Sequence, residues 1–224
     1  MDYYVLLFIL ILIIPGLAQL YVSLTYSKYR KIPNKKQLTG FDVARQLLDA
    51  NGLQSVYIVK TGGQLSDHYD SSRKTVRLSN DVYDGDSMAA LAIAAHEVGH
   101  ALQDQSGYLF LRLRAGIFPI VTLGTKLAYI VLVVSFFLSM IELAWLAIIF
   151  MLGSLIFQII TLPVEYNASR RAEEEITKHK LTDESSMNGM KAVLKAAAMT
   201  YVAGVLASAL EILRLALMII DRRR

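Results

Sequence analysis

The sequence predicts a mainly α-helical integral membrane protein with a small α+β segment outside the bilayer. Apolar residues make up 54% of the 224 positions, above the roughly 45–50% that is usual for soluble domains. They are concentrated in residues 3–27, 115–164 and 192–220, whereas residues 28–114 have the composition of a soluble domain. That stretch contains both helical and strand-like periodicities, which predicts an α+β domain between membrane segments.

Residues 1–27 are predicted to form an uncleaved transmembrane anchor. No charged residue lies between Tyr3 and Ser27, and a helix of that length crosses a hydrocarbon core of about 30 Å. A cleaved signal peptide would have a basic start, whereas this chain begins with Met1-Asp2. Basic residues cluster just after the segment, between positions 28 and 36. The positive-inside rule therefore places residue 28 onward in the cytoplasm.

Residues 28–114 are predicted to form the soluble domain. Residues 40–53 show the apolar spacing of a helix, and three extended pieces follow in SVYIVK, QLSDHYD and TVRLS. Residues 80–87 are predicted to be a polar loop. Ser87 is a suitable N-cap for a helix through MAALAIAAHEVGHALQDQ, which Gly107 ends.

The helix after Ser87 carries the pattern H-E-x-x-H. Residues four apart share one face of a helix, so His96 and His100 can bind one metal ion. Glu97 lies about 100° around the helix from His96, where it can accept a proton from zinc-bound water and pass it to a leaving amine. The five-residue pattern also occurs by chance. A buried His-Glu-His trio in an apolar helix, however, requires a metal or polar partners.

Residues 115–164 are predicted to form a transmembrane hairpin, because the apolar run is too long for one crossing. Glu142 marks its outer turn. Lys126 either begins the true span or faces protein rather than lipid. Both ends are expected in the cytoplasm because basic residues flank the run. These residues are Arg112, Arg114, Arg170 and Arg171.

A catalytic zinc ion needs a third protein ligand and one open position. The chain has no cysteine, so the available side chains are His68, His179 and the carboxylates. Glu165 is the best-placed acid, because it lies at the cytoplasmic exit of the hairpin, on the membrane face predicted for the H-E-x-x-H helix. Pro163 fits the first turn of a new helix there, which we expect within residues 165–190. The competing interpretation is that Glu165 only caps that helix.

Residues 191–224 are predicted to form a membrane-associated helix whose path stays open. The segment contains Lys195, Glu211 and Arg214 and ends in three arginines. A simple crossing would place those arginines outside, against the positive-inside rule. A re-entrant or interfacial amphipathic helix is the alternative.

Four further residues are candidates for supporting roles. Asp104 lies one turn beyond His100 and is expected to orient it by accepting a hydrogen bond. His68 or Tyr69, in the stretch before the H-E-x-x-H helix, can donate a hydrogen bond to the oxyanion of the reaction. Tyr201 is a weaker candidate, because a tyrosine among small membrane residues usually serves packing.

Several long stretches resemble the bacterial membrane-embedded neutral zinc metallopeptidase family, typified by YugP. They include GLQSVYIVKTGGQLSDHYD, VRLSNDVYDGDSMAALAIAAHEVGHALQD and TLPVEYNASRRA. The resemblance implies a zincin-like fold with a helix-borne H-E-x-x-H. The layout is also similar to the HtpX/Ste24-type gluzincins, in which a glutamate after a transmembrane hairpin is the third zinc ligand. That similarity assigns the third ligand to Glu165, while Ser169 stands where those relatives often carry aspartate.

Together these features predict a zinc-dependent endopeptidase of the bacterial plasma (inner) membrane. It would be multi-pass and would hydrolyse peptides or membrane proteins at the cytoplasmic face, by attack of zinc-bound water assisted by Glu97. One alternative is a membrane adaptor with a structural or vestigial zinc site, and another is a zinc amidase that acts on a small amide. The net charge of +4 is modest and gives no reason to expect nucleic acid. A membrane-protein partner or an oligomer stays open.

Overall fold

A computed structural model describes the backbone of residues 2–221 and the side chains of residues 3–221. The elements are α1 (Asp2–Tyr29), α2 (Gly40–Ala50), β1 (Tyr57–Thr61), β2 (His68–Asp70), β3 (Thr75–Ser79), α3 (Asn80–Tyr83), α4 (Met88–Gln105), α5 (Leu109–Leu138), α6 (Ile141–Lys178) and α7 (Glu184–Asp221). The chain is divided into two compact units. The helical unit comprises residues 2–19, 112–163 and 199–221, and the sheet unit comprises residues 20–111 and 164–198.

Four helices of the described chain, α1, α5, α6 and α7, are long and apolar enough to cross a membrane. This confirms the prediction of a mainly helical membrane protein. The C-terminal segment is continuously helical to Asp221, and two of its internal charges are paired, because Arg214 Nη2 lies 2.7 Å from Glu211 Oε1. The three terminal arginines that argued against a crossing lie outside the described residues.

The sheet unit contains a three-stranded sheet in the order β1-β3-β2. Strand β1 runs parallel to β3, whereas β2 runs antiparallel to it, with His68 opposite Arg77. Helix α2 begins with a capping box between Thr39 and Asp42, which satisfies backbone groups that the first turn leaves unpaired. The apolar faces of α2, β3 and α4 form one core. Its fully buried members include Val43, Leu47, Leu48, Val76, Leu78, Leu91 and Val98.

Two details differ from the sequence prediction. Residues 80–87 are not entirely loop, because Asn80–Tyr83 forms one helical turn whose Val82 is buried. Pro163 does not start a new helix either, since α6 continues through it without a break. Proline is tolerated inside membrane helices, where neighbouring groups satisfy the carbonyl that the missing N–H leaves free. The long α6 therefore carries Glu165 on the same helix as the second arm of the predicted hairpin.

Candidate metal centre

Helix α4 places the H-E-x-x-H residues in the interior of the sheet unit. Its start is fixed by Ser87, whose side chain accepts a hydrogen bond from the Ala90 N–H at 3.1 Å. His96 and His100 project from one face, with ring centroids 4.8 Å apart and planes at 85°. His100 and Glu97 are buried and His96 is half-buried. The shared face that the four-residue spacing predicts is therefore present.

Glu165 of α6 lies against these two imidazoles. Its Oε2 is 3.2 Å from His96 Nε2 and 3.6 Å from His100 Nε2. The close approach of the two helices depends on Gly99, because a Cβ there would lie only 2.4 Å from the Ala168 carbonyl oxygen. Glu165 is almost completely buried, and a buried carboxylate requires positively charged or hydrogen-bonding partners.

These three side chains fit a zinc ion. Their donor atoms all lie within 4.8 Å of one another. In a tetrahedral zinc site with bonds of about 2.0–2.2 Å, two ligand atoms lie about 3.3–3.5 Å apart. The separations of 3.2 and 3.6 Å between Glu165 and the histidines bracket that spacing. Two imidazoles and one carboxylate also leave a fourth coordination position open, as catalytic zinc requires.

Glu97 has the environment of a group that can exchange a proton near neutral pH. Burial raises the pKa of its carboxyl to about 7, and the charges of Glu165 and Asp67 act in the same direction. The charge of His96 opposes them, as does the backbone N–H of Tyr69. A bound cation would stabilise the carboxylate and lower this pKa.

The second nitrogen of His100 is held by Gln103. His100 Nδ1 lies 3.0 Å from Gln103 Oε1, and Gln103 is completely buried. The Gln103 Nε2 group donates to the Val164 carbonyl at 2.7 Å and to Asn167 Oδ1 at 3.0 Å. Because the carbonyl can only accept, the Gln103 oxygen must face the imidazole. His100 Nδ1 therefore carries the proton and leaves the lone pair of Nε2 for a metal.

The second nitrogen of His96 is held by Ser169. The distance from Ser169 Oγ to His96 Nδ1 is 3.2 Å. Ser169 stands where the HtpX/Ste24-type proteins often carry aspartate, so a hydroxyl takes the place of a carboxylate beside His96. Both imidazoles are consequently oriented by neutral partners, a hydroxyl and an amide.

Asp104, which was predicted to orient His100, has other partners. Its Oδ2 accepts hydrogen bonds from the Tyr69 hydroxyl at 2.8 Å and from Lys74 Nζ at 2.6 Å. Asp104 therefore links the end of α4 to strand β2, while Gln103 is the residue at His100 Nδ1.

The other predicted candidates lie as follows. His68 is exposed on the edge strand β2, and its Nδ1 is 2.8 Å from the Ser66 carbonyl oxygen. His179 has its Nε2 3.2 Å from Glu175 Oε2, near the end of α6. Tyr201 belongs to the helical unit. Within the described part of the chain, the group of side chains that could hold a metal ion consists of His96, His100 and Glu165.

A further network of hydrogen bonds joins α4 and α6 beside the candidate metal centre. Arg171 Nε donates to Asn167 Oδ1 at 2.8 Å, and its Nη1 donates to the Leu102 carbonyl at 3.2 Å. Sequence reasoning missed Gln103, Asn167 and the structural role of Arg171. One signal was available, namely an amide three residues after a predicted ligand on an otherwise apolar helix face.

Membrane-length helices and a His-His-Glu group that could hold an ion define the class as a helical membrane metalloprotein. The chain belongs to the family described as "Putative neutral zinc metallopeptidase", whose model matches residues 4–220. It is 42% identical over 206 residues to "Putative membrane protease YugP" of Bacillus subtilis (strain 168), and the alignment covers 92% of each protein. No solved structure matches the chain significantly. The predicted family, the zinc cofactor and the general protease class are thereby confirmed.

Proposed function

We propose that the protein is a membrane-embedded zinc endopeptidase with a zincin-like catalytic domain. His96, His100 and Glu165 would hold the ion, and Glu97 would act as the general base. The observation that carries this proposal is a buried glutamate directly beside three convergent metal donors. A structural zinc site has no use for such a base, which argues against the adaptor alternative.

A zinc ion in this position would activate a water molecule and polarise the substrate carbonyl. The protein's own groups supply the proton transfers. Glu97 accepts the proton of the attacking water and delivers it to the amine that leaves when the peptide C–N bond breaks. Burial raises the pKa of Glu97 and opposes the lowering that a bound cation would cause, which keeps the carboxyl able both to accept and to release a proton.

Strand β2 would position an extended substrate. It is an edge strand of the sheet, and an edge strand can pair with an added peptide through its free backbone groups. Tyr69 of this strand is tied to the end of α4 through Asp104. That tie keeps the strand beside the helix that carries Glu97. Recognition of a peptide backbone favours an endopeptidase over an amidase that acts on a small amide.

His68 would act as an oxyanion donor only in its protonated form. Its Nδ1 faces the Ser66 carbonyl at 2.8 Å and must donate there, which in the neutral ring leaves Nε2 without a proton. The imidazolium form carries a proton on both nitrogens and can donate to a developing oxyanion. We therefore assign His68 to this role in its imidazolium form.

The active site would face the cytoplasm. Basic residues between positions 28 and 36 lie in the last turn of the first membrane-length helix and just after it. They belong to the sheet unit, as do Arg170 and Arg171. Arg112 and Arg114 lie at the start of the next membrane-length helix. A concentration of basic residues beside membrane segments marks the cytoplasmic side.

The decisive experiment compares wild type with Glu97→Gln in detergent, using a casein-derived peptide library. Wild type should contain about one zinc ion per chain, and the variant should keep the zinc and lose turnover, because it loses the base and not a ligand. Glu174→Gln, an exposed acid on α6, is the control and should behave as wild type. Cleavage by Glu97→Gln at the wild-type rate would refute the mechanism. If the wild type contains about one zinc ion per chain but cleaves no peptide, the adaptor or amidase alternatives are favoured.

A further inference from the structure

Lys126 is an isolated charge within a membrane-length helix. It lies on α5, midway between Arg114 and Ser139, and no other charged residue stands between Arg114 and Glu142. Its side chain is exposed. Ionisable residues inside membrane segments are costly and usually mark a functional contact.

The geometry of the hairpin places Lys126 near the middle of the hydrocarbon region. Helices α5 and α6 are joined at Ser139-Met140, and the Phe118 and Phe157 rings meet with centroids 5.9 Å apart. The level of Lys126 on α5 therefore corresponds to that of about Phe150 on α6, inside the uncharged stretch 143–164. If Lys126 instead began the span, residues 127–138 would rise only about 18 Å, too little for a core of about 30 Å.

The surroundings of Lys126 on α5 are apolar and open. Leu123 and Ile130, one turn away on either side, are 60% and 58% exposed, and Val133 is 55% exposed. We call these residues and Lys126 the Lys126 face. Among the side chains of residues 3–221, none forms a hydrogen bond or an ion pair with Lys126.

The described helical unit has no spare carboxylate to neutralise Lys126. Glu211 is paired with Arg214 at 2.7 Å, and Asp221 accepts hydrogen bonds from the hydroxyls of Tyr3 and Tyr4. Glu142 lies in the first turn of α6, at the far end of the hairpin. The described residues of a second copy of this chain would therefore bring no unpaired acid to the depth of Lys126.

Lipid phosphates are also a poor match for this position. A lysine side chain extends about 6 Å and satisfies its charge by reaching the membrane interface from near a helix end. The headgroups lie about 15 Å or more from the middle of the bilayer. An anion at the same depth must come from another protein.

We propose that the Lys126 face binds a transmembrane helix of a different protein, one that carries an aspartate or glutamate near its centre. The apolar neighbours supply the packing surface, and the Lys126 ammonium pairs with the buried carboxylate. Such a helix is a candidate substrate or regulatory subunit of the proposed protease. The inference rests on the hairpin crossing the membrane, whereas it does not depend on the catalytic mechanism.

The test uses the full-length protein with a photo-crosslinking amino acid at Ile130, reconstituted in phosphatidylcholine vesicles. The probe is a single-pass polyleucine helix with one central glutamate, compared with the same helix carrying glutamine. We expect at least about fivefold more crosslinking to the glutamate helix, in line with the strength of polar contacts between membrane helices. Lys126→Gln should abolish the preference, whereas Lys178→Gln, outside the apolar part of α6, should retain it.

A second experiment exchanges the charges of the protein and the probe helix. Lys126→Glu should prefer a polyleucine helix with a central lysine, which a merely misfolded variant would not do. Equal crosslinking of the glutamate and glutamine helices would overturn the proposal. So would a homodimer product that depends on Lys126, or a preference that appears only when phosphatidylglycerol is added. Bimane fluorescence at Lys126→Cys tests the depth separately, and quenching by aqueous iodide would show that the hairpin assumption is wrong.

Discussion

Replacement of Gln103 by leucine tests whether the neutral amide beside His100 controls zinc binding. The substitution keeps the approximate volume but removes one acceptor and two donor contacts, to His100, Val164 and Asn167. The site is completely buried, so water cannot easily replace these contacts. Leaving the His100 N–H unpaired should cost about 1–3 kcal/mol. Loss of a partner that orients a ligand typically lowers metal affinity about 10–100-fold.

Zinc affinity should be measured by competition with a chromophoric chelator, and the visible spectrum of the cobalt-substituted protein should be recorded alongside it. The cobalt spectrum reports ligand geometry directly, so it separates a reoriented His100 from general destabilisation. Gln105→Leu is the matched control, because Gln105 lies on the same helix and bonds only the Asn51 carbonyl at an exposed position. We expect the control to leave both measurements unchanged.

Gln103→Glu refines this experiment. A carboxylate can still accept the His100 N–H, but it turns an oxygen toward the Val164 carbonyl, where the amide previously donated. Zinc affinity should therefore be largely kept while thermal stability falls. If Gln103→Leu binds zinc with wild-type affinity and gives an unchanged cobalt spectrum, Gln103 does not orient His100 and the reasoning is refuted.

Three further predictions concern the ligand set, the topology and the helix contact. Glu165→Gln should lower zinc affinity by at least about 10–100-fold and abolish peptide cleavage, whereas Glu174→Gln should change neither. If Glu165→Gln keeps wild-type zinc content and activity, another residue is the third ligand. A cysteine in place of Gln54 should react with a membrane-impermeant maleimide only after cell lysis, and labelling of intact cells would place the sheet unit outside. Gly99→Ala should destabilise the protein by about 1–3 kcal/mol, because its Cβ would collide with the Ala168 carbonyl; an unchanged denaturation midpoint would show that the helices can separate without cost.

The sequence predicted the elements that have a strong local signal. The helix around His96 has an N-cap and a continuous apolar pattern, and the three strands have turn residues between them, so α4 and the small sheet could be placed in advance. Glu165 was favoured because of its position after the hairpin. The structure brings it within 3.2 Å of His96 Nε2, a distance that no sequence pattern supplies.

Helical spacing alone does not decide which side chain accepts the hydrogen bond of His100. Gln103 and Asp104 lie three and four residues beyond His100, and both spacings bring side chains together on a helix. The choice was made by tertiary contacts. Gln103 faces the Val164 carbonyl of α6, whereas Asp104 faces the Tyr69 hydroxyl of β2. Tertiary context also explains why α6 continues through Pro163, where the preference of proline for a first turn predicted a new helix.

The placement of Glu165 on α6 has a consequence for the order in which the protein is made. Translation releases His96 and His100 first, and the ribosome must then synthesise all of α5 and the first part of α6 before Glu165 appears. A nascent chain that ends within the hairpin therefore has two of the three proposed ligands and no closed metal centre. Completion of the proposed metal centre therefore waits for the returning helix.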